Sequence, residues 1–569
     1  MRDLGHLQPN GAPEGRVRIS DRSQSNVNPV RRQPFPSDAE TTVDSVHLIE
    51  ISPTPNEAGL FSSDLNGQVA PDEAETFFDR QFETHHAEWV PYLPDLEPAD
   101  ESHFLHCAEL FPDFLTKFNK PLAKLSETVT CSEHDTVHTE LVSYPIGLQE
   151  IPERPNLLIE LNESFLAPGQ LNQGIELPTG AVWRPSLWVF GTYRTGFNYL
   201  ERTESSDVVE IAQRLDLFAQ LNLSGTERVL LGLRPVDEET SSGRRFLSYD
   251  FQDGKVIDGW NADIQTLFFE GDFGELFPRL DPHDRHRFDI GFSVGRQPMS
   301  FQQGLLINED RVDAVTATRN TISGNRLLNL RMTGVYVWDE IHRNNNQLDS
   351  DAQLVGLFTE SDFALSTINA DIAYLHSQSS FGSQLAFGLS AIQRLHGFHN
   401  TYNTSVHVLG SIPTDGETSA SGRGVLLFSQ TSWTPHHTVD LIYLNGFWAI
   451  DQFTSPMRGT LAGGPLGQTG ILFAAPGLGR FGAPLSNQAS DVVGGSLGYQ
   501  LFFDHTKQQI IFEVGGRQPT NNVAAEFGFG TRYQKALDQH WILVIDGFAS
   551  KQVGQHWTPG ARIELLAKF

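Results

Sequence analysis

In the last stretch of the chain, Trp557–Phe569, the odd positions from Ala561 onward are apolar and the even positions carry Arg562, Glu564 and Lys568. The apolar positions are Ala561, Ile563, Leu565, Ala567 and Phe569. Because successive side chains of a β-strand point to opposite faces, this pattern predicts a strand with one apolar and one charged face. A closed barrel pairs its last strand with its first, so a chain can end inside such a sheet.

The same alternation recurs from about residue 182 to the end of the chain. The clearest segments are Asp207–Gly225, Arg287–Gln297, Leu328–Trp338, Ser496–Phe503, Gln509–Gly515, Ala525–Tyr533 and Trp541–Phe548. Counting such segments predicts about eighteen strands, with sixteen as the second choice. The sequence contains no apolar run long enough for a membrane-spanning helix. We therefore predict an all-β fold, a transmembrane antiparallel β-barrel.

The links between these segments alternate in length. The short links are Ser224–Glu227, Ser323–Asn325, Glu360–Asp362, Asp504–Gln508 and Leu537–His540. The long links are Asp237–Asn261, Pro298–Arg311, Glu340–Asp351, Ile412–Gly422 and Asp451–Asp491. Outer-membrane barrels have short periplasmic turns and longer external loops, whereas a soluble sandwich or propeller has no reason for this alternation. The link Gly271–Arg287 is an exception, because it is long where a short one is expected.

Charge and composition restrict the classes of function that the protein can have. The formal net charge is −30, so a nucleic-acid partner, which requires a basic surface, is not expected. After residue 150 the basic residues are 25 arginines and only five lysines. Mean hydropathy of −0.29 is compatible with a barrel, since lipid-facing residues alternate with lumen-facing ones.

The N-terminal part of the chain has a different composition. Residues 1–75 are rich in proline, serine and acidic residues, which predicts a disordered segment. Residues 76–150 suggest a small, partly folded periplasmic segment, and the barrel is assigned to residues 151–569. No signal peptide is visible after Met1, although export to the bacterial outer membrane requires one. A start codon assigned too far downstream would explain this.

The only two cysteines, Cys107 and Cys131, lie in the segment 76–150. One interpretation is a disulfide formed in the oxidising periplasm. The alternative is a zinc-like site formed with nearby histidines, namely His103, His106, His134 and His138. The disulfide is the preferred interpretation, so no metal is expected, and the sequence contains no motif for a cofactor.

A family resemblance supports the barrel. The stretch Arg287–Val315, with Gly295-Arg296-Gln297 at the end of a strand, resembles a segment of the alginate-export-like outer-membrane channels. The resemblance implies an eighteen-stranded barrel with an arginine-rich lumen that passes small anions or an anionic polysaccharide. The end of the chain resembles the terminal strand of bacterial outer-membrane barrels, which implies that Phe569 is part of the signal for the barrel-assembly machinery.

Strand parity identifies candidate pore-lining residues. They are Arg194, Arg214, Asp216, Arg228, Arg234, Asp289, Gln297, Arg331, Glu513, Arg532, Arg562 and Glu564. Arginine presents a rigid fork of donors that suits carboxylates, phosphates or hydroxyls, although these residues could equally be lumen ion pairs with no role in selectivity. Arg296 has the parity of the lipid-facing set, which is tolerable only near the membrane interface or at a bulge.

Two long links are candidates for folding into the lumen. Pro298–Arg311 is expected to narrow the channel with Glu309, Asp310 and Arg311, and the neighbouring Asp313 is included in this set. The alternative is a surface loop with solvated charges. The glycine- and proline-rich link Asp451–Asp491 is expected to form a lid or a second inward fold.

The predicted function is a porin-like channel for small polar or anionic solutes or polysaccharide, in contact with outer-membrane lipid and of open oligomeric state. The first alternative is a non-conducting barrel that anchors another envelope component. A barrel hydrolase is a weaker alternative, because there is no Gly-x-Ser-x-Gly motif and the pair His436-His437 has no evident nucleophile. We therefore expect no enzymatic activity.

Overall fold

The computed structural model describes residue 154 and residues 156–166, 172–202, 206–240, 243–283, 286–397, 400–504, 506–521 and 523–569. The expectations for residues 1–150, including the pairing of Cys107 with Cys131, lie outside these residues. Within the described residues, no helix is long and apolar enough to cross a membrane.

Eighteen antiparallel strands form a closed ring. In chain order, β1 to β18 are Ser186–Leu200, Val208–Asn222, Arg228–Leu233, Ile264–Asp272, Ile290–Phe301, Ile307–Arg319, Asn329–Asp339, Ala352–Asp362, Ser366–Ser377, Gln384–Gly397, Asn400–Pro413, Gly424–Trp433, Leu441–Gln452, Ser490–Phe503, Gln508–Pro519, Glu526–Ala536, Trp541–Gln552 and Trp557–Lys568. Each strand pairs with the next, and β18 pairs with β1, from Gly560 opposite Leu200 to Lys568 opposite Thr192. The predicted fold class and the count of eighteen strands are confirmed.

The outer face of the ring is apolar and exposed. Leu444, Trp448, Phe529 and Ile563 are typical, and each alternates along its strand with buried residues of the inner face. A continuous exposed apolar belt is unfavourable in water and favourable in the hydrocarbon of a bilayer. The protein is therefore a membrane-spanning β-barrel, as the sequence predicts.

Short elements complete the wall between β3 and β4. The strands are Asp237–Thr240, Gly243–Asp250 and Lys255–Ile257. Residues of Gly243–Asp250 pair with β2, from Leu247 opposite Gln213 to Asp250 opposite Glu210. The segment predicted as a long loop therefore extends the sheet above the short strand β3.

The long link between β4 and β5 contains a helix, Phe273–Leu276, and a 3₁₀ turn, Pro278–Leu280. The side chain of Asp272 caps the helix by accepting hydrogen bonds from two backbone N–H groups. Arg279 contacts the segment before the barrel, since it donates to the Pro178 carbonyl and to Glu176. This packing accounts for a link between β4 and β5 that is longer than the pattern predicts.

Short strands also precede the barrel. Ile159–Leu161 pairs with residues 187–189 of β1, and Ile175–Glu176 pairs with Val182–Trp183. The first pairing occupies the edge of β1 beyond the end of β18, so the seam of the ring is covered on that side.

Candidate functional site: the barrel lumen

The β5–β6 hairpin leaves the wall and enters the lumen. Residues 297–301 and 307–312 pair with each other, but β4 pairs with β5 only up to Arg296 and β7 pairs with β6 only from Asp313. An irregularity in register between Gln297 and Met299 marks the departure from the wall. The link predicted as the loop Pro298–Arg311 is thus mostly paired strand, because the hairpin keeps its own hydrogen bonds where it separates from its neighbours.

The tip of this inward hairpin is fixed to wall strands further along the ring. Phe301 stacks on Phe358 of β8, with ring centroids 3.5 Å apart. Gln302 Nε2 donates to Asp371 of β9 at 2.7 Å, and Gln302 Oε1 lies 2.9 Å from Nδ1 of His407 in β11. Gln302 has φ of 56°, a left-handed conformation that costs energy for a residue with a side chain. These contacts hold the tip against three wall strands.

The loop of residues 453–489 between β13 and β14 also folds inward. We call its residues 469–480 the crossbar. One end of the crossbar is fixed by Glu513 of β15, which accepts hydrogen bonds from the backbone N–H of Ile471 at 3.0 Å and of Leu472 at 2.9 Å. The Tyr443 hydroxyl also donates to this carboxylate. The Thr469 carbonyl accepts a hydrogen bond from Ser496 at 2.7 Å.

The other end of the crossbar is fixed to β1 and β2. Arg194 donates to the Pro476 carbonyl at 2.9 Å, and Asn198 donates to the Leu478 carbonyl at 3.1 Å. Arg480 makes an ion pair with Glu210, with Nε and Oε2 2.9 Å apart. The crossbar therefore runs through the lumen from the β13–β15 side of the wall to the β1–β2 side.

An apolar core joins the inward segments to the wall. Its members include Leu305, Leu306 and Ile307 of the hairpin, Phe453, Met457, Leu466, Leu472 and Phe473 of the loop, and Val335, Leu354, Phe358, Leu409, Phe428 and Phe447 of the wall. Met457–Arg458 pairs in parallel with residues 307–308, so the two inward segments also share a short sheet. Burial of this apolar area holds both segments in place.

Buried ion pairs line the opposite part of the wall. On β16, β17, β18 and β1 the chain of contacts is Arg532–Asp546 (2.7 Å), Arg562–Asp546 (2.6 Å), Arg562–Glu564 and Arg194–Glu564 (2.7 Å). From β2 inward it continues as Arg214–Asp216 (2.9 Å), Arg234–Asp216 (2.7 Å), Arg234–Asp310 and Arg244–Asp310 (3.0 Å). Each of these arginines contacts at least one carboxylate, so their charges are largely compensated within the protein.

His342 links the loop between β7 and β8, the segment between β3 and β4, and the inward hairpin. It lies in the loop between β7 and β8, with Nε2 3.1 Å from Glu239 and Nδ1 3.3 Å from Glu309 of the inward hairpin. Burial lowers the pKa of His342, but the two carboxylates raise it further, and the resulting pKa is about 10. His342 is therefore charged at neutral pH and holds the hairpin to these two segments.

The structure places other predicted residues near the rim of the wall. Arg296 pairs with Asp313 at 2.8 Å and with Glu340 at 3.1 Å, directly before the register shift of the inward hairpin. Asp313 is thus part of the wall and does not lie in the inward segment. Arg311 also pairs with Glu340. By strand alternation Arg296 belongs to the lipid-facing side chains, and the carboxylates of Asp313 and Glu340 compensate its charge there.

The remaining predicted residues are spread over both ends of the barrel. Asp289 lies before the start of β5, is partly exposed and contacts His286, because strand alternation was extended too far towards the N-terminus. Arg228 pairs with Glu270, and Gln297 accepts a hydrogen bond from Ser293. Arg331 faces Glu360 across β7 and β8.

Sequence reasoning missed several residues of the lumen. They are Asn198, Glu210, Tyr443 and Asp546 of the wall and Glu239, Arg244 and Arg480 of the loops. Glu210 lies on the same polar face of β2 as Asn222. The alternation of side chains along the strand could therefore have identified the wall residues of the lumen. No local pattern distinguishes the loop residues from ordinary solvated charges.

No family model matches the chain, and no curated protein matches it. Solved structures with a similar backbone include Pseudomonas aeruginosa OccK2 (OpdF) in complex with glucuronate. The match has 10% sequence identity, covers 67% of this chain and 98% of that chain, and has a TM-score of 0.47. A BenF-like porin from Pseudomonas fluorescens Pf-5 matches with 10% identity, the same coverages and a TM-score of 0.48. Pseudomonas aeruginosa OpdK with vanillate matches with 8% identity, the same coverages and a TM-score of 0.49.

At this identity and TM-score the similarity does not assign a family. The fold assignment depends on the strand order of the chain itself. The alginate-export-like resemblance has no support from the family models.

Proposed function

We propose that the protein is an outer-membrane channel for small polar or anionic solutes. The observation that supports this most is the eighteen-stranded closed ring with two segments folded into its lumen. A ring of this size encloses an aqueous lumen unless other residues fill it, and inward segments reduce that lumen to the size of a small solute. The predicted pore-lining and constriction residues belong to this proposal.

The two inward segments argue against passage of a polysaccharide. The hairpin tip contacts β8, β9 and β11, while the crossbar connects β13–β15 with β1 and β2. A polymer would have to displace both segments together with their buried core. We therefore limit the proposal to solutes that fit beside them. No enzymatic step is part of it.

A second function, a non-conducting barrel that anchors another envelope component, is favoured by one observation. The inward segments share a buried apolar core with the wall, which is a stable arrangement for a plug. In both functions the barrel-assembly machinery and outer-membrane lipid are the expected partners, with Phe569 as part of the assembly signal.

Planar-bilayer recording of the purified full chain distinguishes the two. The variants are a replacement of residues 465–484 by a short glycine-serine linker, Arg214→Ala, Arg331→Ala and a Glu309→Gln/Asp310→Asn double variant. If the protein is a channel, the wild type conducts and the variant without the crossbar conducts more. At least one of the charge variants then has a changed ion preference. An anchor conducts only when the crossbar is replaced. A folded barrel that conducts in neither form contradicts the channel proposal.

A further inference from the structure

Residues 474–484, which we call the flap, lie between two points of the chain that are fixed in the apolar core. Leu472 and Phe473 precede the flap and Leu485 follows it, and all three are fully buried members of that core. The Leu485 N–H donates to the Leu472 carbonyl at 2.8 Å, so the two ends of the flap lie side by side. Phe473 also packs edge to face on Phe447 of the wall, with ring centroids 5.5 Å apart. The base of the flap is therefore held by apolar burial.

The tip of the flap, residues 476–480, is bound through its backbone carbonyls to side chains of β1, β2 and the link between them. The donor and acceptor pairs are Arg194 to Pro476 at 2.9 Å, Arg214 to Gly477 at 3.3 Å, Asn198 to Leu478 at 3.1 Å and Arg202 to Arg480 at 3.0 Å. Backbone oxygens thus occupy donors that a polar solute in the lumen would otherwise use. Nη1 of Arg194 is buried without a hydrogen-bond partner among the described residues, so docking of the tip leaves one donor unsatisfied.

The contacts of the tip are weaker than those of the base. The Arg480 side chain pairs with Glu210 at 2.9 Å and with Asp250 at 2.6 Å, but it is 37% exposed. Ion pairs that are open to water contribute little to stability and are screened by salt. Apolar contact is also smaller here than at the base, since Leu478 packs on Ala212 of β2 in a small cluster. The tip can therefore separate from the wall while the base remains in the core.

The amino-acid sequence of the flap suits such a movement. Eight of its eleven residues are glycine, alanine or proline, so the flap has few large side chains to hold it in place. Gly477 and Gly479 have φ of 63° and 66°, and glycine can leave this left-handed conformation for others at little cost. A Cβ atom added at Gly482 would meet no atom within 4 Å, so there is open space beside the flap.

In its docked position the flap covers charged residues of the inner face. Arg194, Arg214 and Arg562 face the inside of the ring, and each of them is at most 1% exposed. Carbonyls of the tip bind the first two, and the ring of Phe481 lies 5.9 Å from the guanidinium carbon of Arg562. Arginines on the inner face of an open aqueous lumen would be in contact with water. The flap therefore separates this part of the inner face from water.

We propose that the flap is an autoinhibitory element that closes the lumen in this structure and opens by release of its tip, while its base stays in the apolar core. The inference rests on the proposed channel and names how the same lumen is regulated. Release of the tip frees the donors of Arg194, Arg214 and Asn198. A solute with oxygen acceptors binds these donors in place of the flap carbonyls.

The test measures hydrogen exchange of single backbone N–H groups in the purified full chain in detergent micelles, relative to an unfolded chain of the same sequence. The N–H at position 480 donates to Glu210 and reports the tip, whereas the Leu485 N–H reports the base. The variant Arg480→Gln removes both ion pairs of the tip. Its matched control is Arg245→Gln, because Arg245 is also partly exposed and pairs with a carboxylate, Glu238, outside the flap. The wild type is measured at ~0.1 M and ~1 M salt, since salt screens exposed ion pairs.

We expect the N–H at position 480 to exchange about tenfold faster in Arg480→Gln, the effect of losing two partly exposed ion pairs. It should also exchange faster in the wild type at the higher salt concentration. The Leu485 N–H should keep its wild-type rate throughout, and Arg245→Gln should change neither rate. Unchanged exchange at position 480, an equal rise at Leu485 or an equal effect of Arg245→Gln would overturn the inference.

Planar-bilayer recording separates this inference from the channel proposal. Arg480→Gln should spend a larger fraction of the time in the open state than the wild type. If position 480 exchanges faster but neither protein conducts, the channel proposal fails and the movement of the flap stands. If both proteins conduct and exchange alike, the flap is not a closing element and the channel proposal stands. Faster exchange with an unchanged open fraction would also overturn the inference, because the flap would then move without closing the lumen.

Discussion

Removal of the carboxylate at Glu513 should release one end of the crossbar. Glu513 is buried and accepts hydrogen bonds from the Ile471 and Leu472 N–H groups and from the Tyr443 hydroxyl. In Glu513→Ala these three donors lose their acceptor while they remain in a site that excludes water. The wall strand itself keeps its backbone pairing with β14 and β16.

The structure allows the size of this effect to be estimated. Leaving a buried donor without its acceptor costs roughly 1–3 kcal/mol, and the three donors on Glu513 act partly together. The docked crossbar should therefore lose about 3–6 kcal/mol relative to the undocked one. Since 1.4 kcal/mol is tenfold in an equilibrium constant, the population of the undocked crossbar rises by roughly a hundredfold or more. Glu513→Gln keeps one acceptor oxygen, so its effect should be smaller.

Two measurements report undocking. Hydrogen–deuterium exchange followed by mass spectrometry gives the exchange rate of the Ile471 and Leu472 N–H groups, which should rise when these groups lose Glu513. Single-channel recordings should show more current noise and a larger mean conductance. The control is Gln509→Ala, since Gln509 faces the lumen from the same strand but bonds to Gln500 and Gln534. If the two N–H groups exchange at the wild-type rate in Glu513→Ala and its conductance is unchanged, Glu513 does not hold the crossbar.

Three further outcomes are expected. The stability that charged His342 contributes is fully present below its unfolded pKa of about 6.5 and is lost as the pH rises through about 10. The difference in Tm between the wild type and His342→Gln should therefore shrink over that pH interval. A constant difference in Tm would contradict this prediction. Gly479 has φ of 66° and a Cβ there would meet Glu210, so Gly479→Ala should lower Tm, whereas Gly482→Ala in open space of the same loop should not; equal Tm values would count against the docked geometry. Deletion of Phe569 removes its two backbone hydrogen bonds to β1 and should reduce the amount of heat-modifiable barrel in the outer membrane, and unchanged assembly would refute its role as a signal.

The wall of the barrel could be predicted from the sequence because the alternation of side chains along each strand shows which residues share a face. Alternation placed Arg194, Arg214 and Arg562 on the inner face without any knowledge of their partners, and the structure finds them buried there. The same rule misplaced Asp289, since alternation does not show where a strand begins.

The contacts of the inward segments could not be predicted in this way. Arg194 meets Pro476, which is 282 residues away, and Glu513 meets Leu472 through backbone groups that any sequence would supply. The sequence predicted that the links after β5 and β13 were candidates for inward folding. It could not show that the first remains a paired hairpin, or that most lumen arginines are matched by carboxylates from other strands.

The attachment of the crossbar to both β1 and β15 has a consequence for the order of folding. Its contacts with Arg194 and Asn198 join residues about 280 positions apart in the sequence, and they can form only when β18 has brought β1 to its place in the ring. We therefore expect the crossbar to dock late, after the membrane-embedded wall is complete. On this expectation, the interior of a newly closed barrel is wider than that of the mature protein.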